Sequence, residues 1–200
     1  MQRRQLFGLA ALAGTPGSRP AAIPQPAPVL TRVDTALGDF VIAVDPARAP
    51  ATVANYLAYV DRGLLDGGSV YRIVTPANQT PDTRHKIEVV QWGMHRPAGQ
   101  PSPWPAIAHE TTQQTGLRHR DGTVSMARGA PGTATSEFFI CIGDQPELDF
   151  GGGRNLDGQG FAAFGQVVAG QAVVRALYAQ AQAKQFIEPT IAVRTVRRSA

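Results

Sequence analysis

Apolar and polar residues alternate along several short stretches of this chain, which is the pattern of half-buried β-strands. Phe40, Ile42 and Val44 recur at every second position within residues 39–45, and ordered structure is expected to begin near Val29. Further short apolar runs predict strands at residues 70–74, 87–91, 123–127, 137–142, 161–168 and 190–196. The chain is therefore predicted to be mainly β.

Two segments have the spacing of amphipathic helices instead. Pro50 suits the first turn of a helix, and Val53, Leu57 and Val60 then recur at intervals of three and four residues. A second helix is predicted over residues 169–182. Many short strands with two distant helices favour a closed antiparallel barrel capped by helices, because a doubly wound fold needs regular alternation of strands and helices.

The amino-terminal part of the chain differs from the rest in composition. Arg3 and Arg4 precede a short apolar stretch that ends in a small-x-small site at Ala11–Ala13, as in secretory signals, and the paired arginines also fit twin-arginine export. A periplasmic or secreted protein is expected, with a disordered basic start on a cytoplasmic protein as the alternative. The predicted divisions are a signal peptide at residues 1–13, a disordered linker at 14–28 and one domain at 29–200.

Charge and composition exclude several classes of partner. The formal net charge is +4, and removal of residues 1–13 would take away two arginines and no acid, which leaves +2. A domain so close to neutral has no electrostatic footprint for nucleic acid. No run of 18 apolar residues offers a membrane span, so no stable membrane insertion is expected. The lone cysteine, Cys141, lies in an apolar strand and is predicted to be a buried structural residue.

The sequence contains no familiar metal or nucleophile motif. The histidines lack metal-ligand spacing, so neither a metal nor a cofactor is predicted; they are His85, His95, His109 and His119. Ser125 and Ser136 lie in no nucleophile motif, although His119 could approach either in space. Covalent hydrolysis therefore remains a remote alternative.

Arg72 is the residue whose surroundings call for an explanation. It lies between apolar neighbours in the strand VYRIV. Burying an unpaired guanidinium is costly, so Arg72 must either pair with a carboxylate such as that of Glu110 or face a cleft. The residues by themselves favour the ion pair.

The block GTVSMARGAPGTATSEFFICIG at residues 122–143 resembles the signature of the cyclophilin-type peptidyl-prolyl cis-trans isomerases. The resemblance extends from about residue 33 to residue 196. VYRIV resembles the strand that carries the catalytic arginine, and VVQWG the strand that carries the active-site glutamine. The resemblance implies an eight-stranded barrel, isomerase activity on proline-containing polypeptides and no cofactor. A monomer is expected.

The resemblance also implies roles for individual residues. Arg72 and Gln91 take the catalytic positions, and the substrate-binding positions fall on Phe139, Val89, Leu148, Met126, Ala127, Arg128 and Phe161. Glu88 stands where the family has an aromatic pocket residue, and Glu147 where it has a tryptophan. These two acidic residues keep a second hypothesis open, in which the barrel is a peptide-binding chaperone or interaction module with weak or no isomerase activity.

Overall fold

Short strands dominate the computed structural model of the chain, which describes residues 26–95 and 100–199. The strands are β1 (Val29–Thr35), β2 (Gly38–Val44), β3 (Gly68–Val74), β4 (Val89–Gly93), β5 (Thr123–Met126), β6 (Glu137–Cys141), β7 (Ala163–Ala169) and β8 (Phe186–Arg198). They pair antiparallel in the order β1-β2-β7-β5-β6-β4-β3-β8, and β8 pairs with β1 to close a barrel. The prediction of a closed, mainly β barrel with eight strands is confirmed.

The helices are α1 (Pro50–Asp61), α2 (Thr112–Thr115) and α3 (Gln171–Tyr178). The single turn of α2 was not predicted, because it has no apolar period and is held by a capping box between Thr111 and Gln114. No helix in the described ranges is both long and apolar enough to cross a membrane. The predicted signal peptide and most of the predicted linker lie outside the described residues.

The interior of the barrel is filled by large apolar side chains from the strands and from α1 and α3. Tyr56 of α1 packs with its ring edge-on against Phe138, 5.2 Å between centroids, and lies 5.3 Å from Phe164. From α3, Val174 and Leu177 join the same buried cluster. Both helices therefore cover the barrel with their apolar faces, as the sequence predicted.

A second, smaller apolar cluster lies on the outside of β4 and β6. Successive side chains of a strand point to opposite faces, so Trp92 and Phe138 point into the barrel whereas Val89 and Phe139 point outward. Cys141 faces outward too and is fully buried, which raises the pKa of its thiol. This outer cluster comprises Val74, Ile87, Val89, Phe139, Cys141 and Leu148, with Ala127 and Phe161 packed against it.

Glu110 stabilises the start of α1, and it is not the partner of Arg72. Its carboxylate accepts hydrogen bonds from the backbone N–H groups of Ala51 and Thr52, at 3.0 and 2.8 Å, and from the Thr52 hydroxyl at 2.6 Å. The helix has no side-chain cap of its own, because its N-cap residue is Ala49. The predicted ion pair between Arg72 and Glu110 does not form, because the carboxylate of Glu110 already accepts hydrogen bonds from the N–H groups of the helix.

The substitution Glu110→Gln is expected to lower the free energy of unfolding by about 1–2 kcal/mol, because an amide cannot replace a carboxylate that faces the positive end of a helix. Thermal unfolding followed by circular dichroism measures the change. Glu188→Gln, which removes an exposed carboxylate from β8, serves as the matched control. Equal melting temperatures for the two variants would contradict the capping role.

Candidate active site

The strand register places the candidate functional side chains side by side. Arg72 on β3 pairs with Gln91 on β4, and Gln91 pairs with Phe139 on β6. Directly opposed residues of neighbouring strands project from the same face of a sheet. The register therefore brings a guanidinium, an amide and an aromatic ring together at the outer cluster.

A bulge in β3 directs two consecutive residues toward Gln91. Val70 pairs with Trp92 and Arg72 pairs with Gln91, so Tyr71 is an additional residue in β3. Such bulges re-aim side chains next to functional sites. As a result, the amide of Gln91 contacts both the phenol of Tyr71 and the guanidinium of Arg72.

Arg72 is half-buried and is held by two amide oxygens. Its Nη1 donates to Oε1 of Gln91 at 2.8 Å, and its Nε and Nη2 donate to Oε1 of Gln185 at 3.1 and 2.5 Å. The guanidinium also lies 5.8 Å from the ring centre of Phe186. Burial lowers its pKa, but an arginine keeps its charge at all ordinary pH values. The site therefore holds a fixed positive charge that neutral groups orient.

A chain of hydrogen bonds fixes the orientation of Gln91. Burial, together with the neighbouring Glu137 carboxylate, raises the pKa of Tyr71, so its phenol stays protonated and donates to Glu137. The phenol oxygen is then free to accept from Nε2 of Gln91, at 2.6 Å. Oε1 of Gln91 must consequently face Arg72, which is the orientation that a guanidinium requires.

These side chains line a cavity of about 210 Å³, which suits a single amino-acid side chain better than a larger ligand. Phe139 forms its apolar floor, and Phe161 stands edge-on to Phe139 with 5.4 Å between ring centroids. The sequence-predicted residues that line the cavity are Arg72, Val89, Gln91, Ala127, Arg128, Phe139, Leu148 and Phe161.

Met126 does not lie on the binding edge, where the resemblance placed it. Its side chain is 1% exposed and packs in the interior of the barrel, because β5 alternates and Met126 pairs with the inward-facing Phe138. Only its neighbours Ala127 and Arg128 reach the cavity.

Arg128 holds the loop before β7 in place. Its guanidinium forms a bidentate pair with Asp157, at 2.8 and 2.9 Å, and donates to the carbonyl of Gly160. The side-chain hydrogen bonds of Arg128 lower the pKa of Asp157 to about 2. Gly160 has a positive φ of 60°, and a Cβ there would lie 2.5 Å from the backbone of Leu148. Arg128 and Gly160 together fix Phe161 at the rim.

The two acidic residues that departed from the family pattern do not line the cavity. Glu88 accepts a hydrogen bond from the Tyr178 hydroxyl on α3, and Ile87 lines the cavity instead. Glu147 lies 2.9 Å from the His85 ring and accepts from the backbone N–H of Gly153. The apolar side chain of Ile87, rather than a carboxylate, therefore forms this part of the cavity wall.

Sequence reasoning missed several residues of the site. Gln185 gave no signal because it is a single glutamine in a polar loop before β8. Ile87 could have been found by counting back in steps of two from Gln91, since alternate residues of a strand share a face. The cavity is also lined by Arg154 and Asn155, which lie in the glycine-rich loop at residues 150–160.

A buried hydrogen-bonded chain supports the cavity from behind. His119 lies with Nδ1 at 2.8 Å from the Asp149 carboxylate and Nε2 at 2.9 Å from the Ser125 hydroxyl, and its ring stacks on Phe139. The order of contacts is that of a hydrolase triad, but Ser125 is 0% exposed and His119 is 2% exposed. A nucleophile with no access to a substrate cannot attack it, so the arrangement supports the floor of the cavity.

The pKa values of His119 and Asp149 are both lowered. Burial lowers the pKa of His119 more than the hydrogen-bonded carboxylate raises it, so the imidazole is neutral. Burial alone would raise the pKa of Asp149, but the hydrogen bonds from His119 outweigh it. The unfolded chain therefore takes up a proton at His119 before the folded protein does.

Stability is expected to fall as the pH drops below about 6.5, the pKa of histidine in an unfolded chain, with His119 contributing up to about 1.4 kcal/mol per pH unit. Urea unfolding between pH 7.5 and 5 measures this slope. His119→Asn, which keeps a donor toward Asp149 but cannot titrate, should flatten it, whereas His95→Asn at an exposed histidine should not. Parallel slopes for wild type and His119→Asn would contradict a neutral buried His119.

Comparisons with known proteins agree with this arrangement. The family model for cyclophilin type peptidyl-prolyl cis-trans isomerases (CLD) matches residues 30–198. A peptidyl-prolyl cis-trans isomerase of Streptomyces antibioticus is 35% identical over 151 residues, which cover 72% of this chain and 80% of that relative. Peptidyl-prolyl cis-trans isomerase B of Escherichia coli is 33% identical over 139 residues, covering 68% and 76% respectively.

A solved structure gives the same fold. The crystal structure of a cyclophilin type isomerase from Cryptosporidium parvum, determined in the presence of the dipeptide Ala-Pro, matches with a TM-score of 0.68 over 86% of this chain and 99% of that one. At a sequence identity of 18%, this match supports a likeness of fold alone. With the family match and the close relatives, the chain belongs to the cyclophilin-type peptidyl-prolyl cis-trans isomerases.

Proposed function

We propose that this protein accelerates cis–trans rotation about X-Pro bonds in folding polypeptides, and that Arg72 carries the catalysis. The observation that supports this assignment most directly is the position of the Arg72 guanidinium. It borders a cavity of side-chain size that has an apolar floor, and it is oriented by amide oxygens rather than neutralised by a carboxylate.

Catalysis of this rotation requires a cavity that fits the proline ring and one hydrogen-bond donor for the twisted amide. Amide resonance places a barrier of about 18–20 kcal/mol on rotation of a peptide bond, and the prolyl nitrogen regains its lone pair when the bond is twisted. A fixed N–H donor that faces this nitrogen, or the carbonyl of the proline, stabilises the twisted amide more than either planar form. Arg72 offers such donors, since its bonds to Gln91 and Gln185 leave N–H groups on Nη1 and Nη2.

The cavity supplies the second requirement, which is a fixed place for the proline ring. Phe139, Val89 and Leu148 are apolar and almost fully buried, and they enclose a space of side-chain size beside Arg72. If the ring is held there while the preceding carbonyl swings, the bond rotates without proton transfer. No cofactor takes part in this scheme.

A peptide-binding module with little turnover is the second function that the sequence left open. Its support came from Glu88 and Glu147, which stand at positions where the family has aromatic residues. Because Glu88 contacts Tyr178 and Glu147 contacts His85, neither adds a carboxylate to the cavity wall. The isomerase function is therefore the better supported of the two.

The substitution Arg72→Ala is expected to lower kcat/KM for an Ala-Pro peptide by about 10²–10³-fold, the usual effect of removing a preorganised transition-state donor. Arg72→Lys should recover only a small part of the lost activity, because an ammonium group cannot donate to Gln91 and Gln185 with the planar geometry of a guanidinium. Magnetisation exchange between the cis and trans peptide signals measures the rate. Arg32→Ala, at an exposed arginine of β1, is the control.

Two results would change the assignment. Full activity in Arg72→Ala would remove Arg72 from catalysis. A wild-type protein that binds the peptide in calorimetry but leaves its exchange rate unchanged would support the peptide-binding module instead.

We also propose that the protein acts outside the cytoplasm, on envelope or secreted clients. Support comes from the paired arginines and the apolar stretch that ends at Ala13.

When the full chain is produced in a Gram-negative bacterium, mass spectrometry of the periplasmic fraction is expected to find a protein that begins at Gly14. Joint substitution Arg3→Lys and Arg4→Lys should block export if the twin-arginine route is used and leave it intact if the general route is used. Recovery of the protein only from the cytoplasm, with residues 1–13 intact, would overturn the proposal.

A further inference from the structure

A second guanidinium borders the cavity that contains Arg72. Arg154 lies on the glycine-rich loop between β6 and β7 and lines the same cavity. Its Nη1 donates to Oε1 of Gln79 and to the carbonyl of His85, both at 3.0 Å. Like Arg72, Arg154 is half-buried, and neutral acceptors hold its guanidinium.

The nearby carboxylates are engaged by other groups. Asp157 forms a bidentate pair with Arg128, and Glu147 contacts the His85 ring and the Gly153 N–H. Within the described ranges, neither Arg72 nor Arg154 forms an ion pair with a carboxylate. Two positive charges at the cavity are thus left without a negative partner.

Several donors at this end of the cavity also lack an acceptor. The bonds of Arg154 all leave from Nη1, so Nε and Nη2 have no acceptor among the described residues. Nδ2 of Asn155, which lines the same cavity, is buried and has no hydrogen-bond partner in the described part of the chain. Buried donors are normally satisfied, so the unpartnered Asn155 amide, which lies beside two cations with N–H groups left to donate, indicates a site for an anionic acceptor.

The two guanidinium groups are close enough to influence each other. Burial is the main cause that lowers the pKa of Arg72, and the positive charge of Arg154 lowers it further. A negative group placed near both would relieve this repulsion and accept the unused N–H bonds.

We propose that Arg72 and Arg154 form a dicationic end of the binding cavity that selects X-Pro segments with a carboxylate next to the proline. The proposal rests on the isomerase function proposed above and names a substrate preference for the same site. The carboxylate could come from an aspartate or glutamate beside the proline, or from the end of a chain whose last residue is proline. Arg154 acts as a specificity residue, while Arg72 serves the reaction itself.

The first test uses the wild-type protein and matched peptides, so it does not depend on whether a variant folds. Exchange rates are measured for peptides with glutamate or glutamine directly before or directly after the proline, and for peptides that end at proline with a free carboxylate or an amide. At low ionic strength kcat/KM is expected to be about fivefold or more higher for at least one acidic peptide than for its neutral partner. Since exposed charges are screened by salt, the preference should shrink in 0.5 M NaCl.

The position of the charge distinguishes the sources. A preference confined to the internal glutamate peptides assigns the site to acidic side chains, and one confined to the free carboxylate assigns it to chain ends. Equal rates for every acidic and neutral pair, in a protein that catalyses all of them, would overturn the inference and leave the isomerase function intact. No catalysis of any peptide would instead count against the isomerase function.

Substitution of Arg154 then tests which residue is responsible. Arg154→Gln should lower kcat/KM for the acidic peptide by a larger factor than for its neutral partner, so that the ratio of the two approaches one, whereas Arg154→Lys should keep much of the preference because the charge remains. Arg120→Gln removes the same charge at an exposed position and should change neither rate. If Arg154→Gln lowers the rates of acidic and neutral peptides by the same factor, Arg154 merely supports the loop and the proposal fails.

Discussion

The alternation of inward and outward side chains along β4 and β6 is the constraint on which both the barrel interior and the pocket depend. Both faces of these strands carry large apolar side chains, so Phe138 completes the core while its neighbour Phe139 forms the floor of the cavity. A shift of register by one residue would exchange the two faces and remove the core and the site together. Closure of the barrel prevents that shift, since every strand has hydrogen-bonded neighbours on both sides.

The charge of Arg72 sets the next requirement. A carboxylate partner would stabilise a half-buried guanidinium, but it would also neutralise the field that a twisted amide needs. Gln91 and Gln185 provide oriented oxygens without a negative charge, and the bulge at Tyr71 fixes which end of Gln91 faces the arginine. The nearest acid in this chain of contacts, Glu137, acts through Tyr71. The Arg72 guanidinium is therefore held in a fixed orientation while it keeps its positive charge.

Prediction from the sequence succeeded where a regular period was present and failed where it was not. Alternation and short apolar runs predicted seven of the eight strands, all except β1, and the apolar spacing predicted α1 and α3. The polar turn of α2, the bulge in β3 and the contact from Gln185 have no periodic signal, because they arise from caps, register shifts and loop contacts. Matching by family position placed Glu88 at the pocket, whereas the phase of the strand places Ile87 there. Strand phase was the more reliable guide, since it follows from backbone geometry.

The chain formed by Ser125, His119 and Asp149 has a wider consequence for assigning function by geometry. Its distances satisfy a search template for hydrolytic enzymes, yet the serine oxygen is sealed inside the protein. Automated searches that compare only interatomic distances would report this barrel as an esterase or protease candidate. Such searches need a test of solvent access to the nucleophile, and this protein offers a useful negative example for calibrating one.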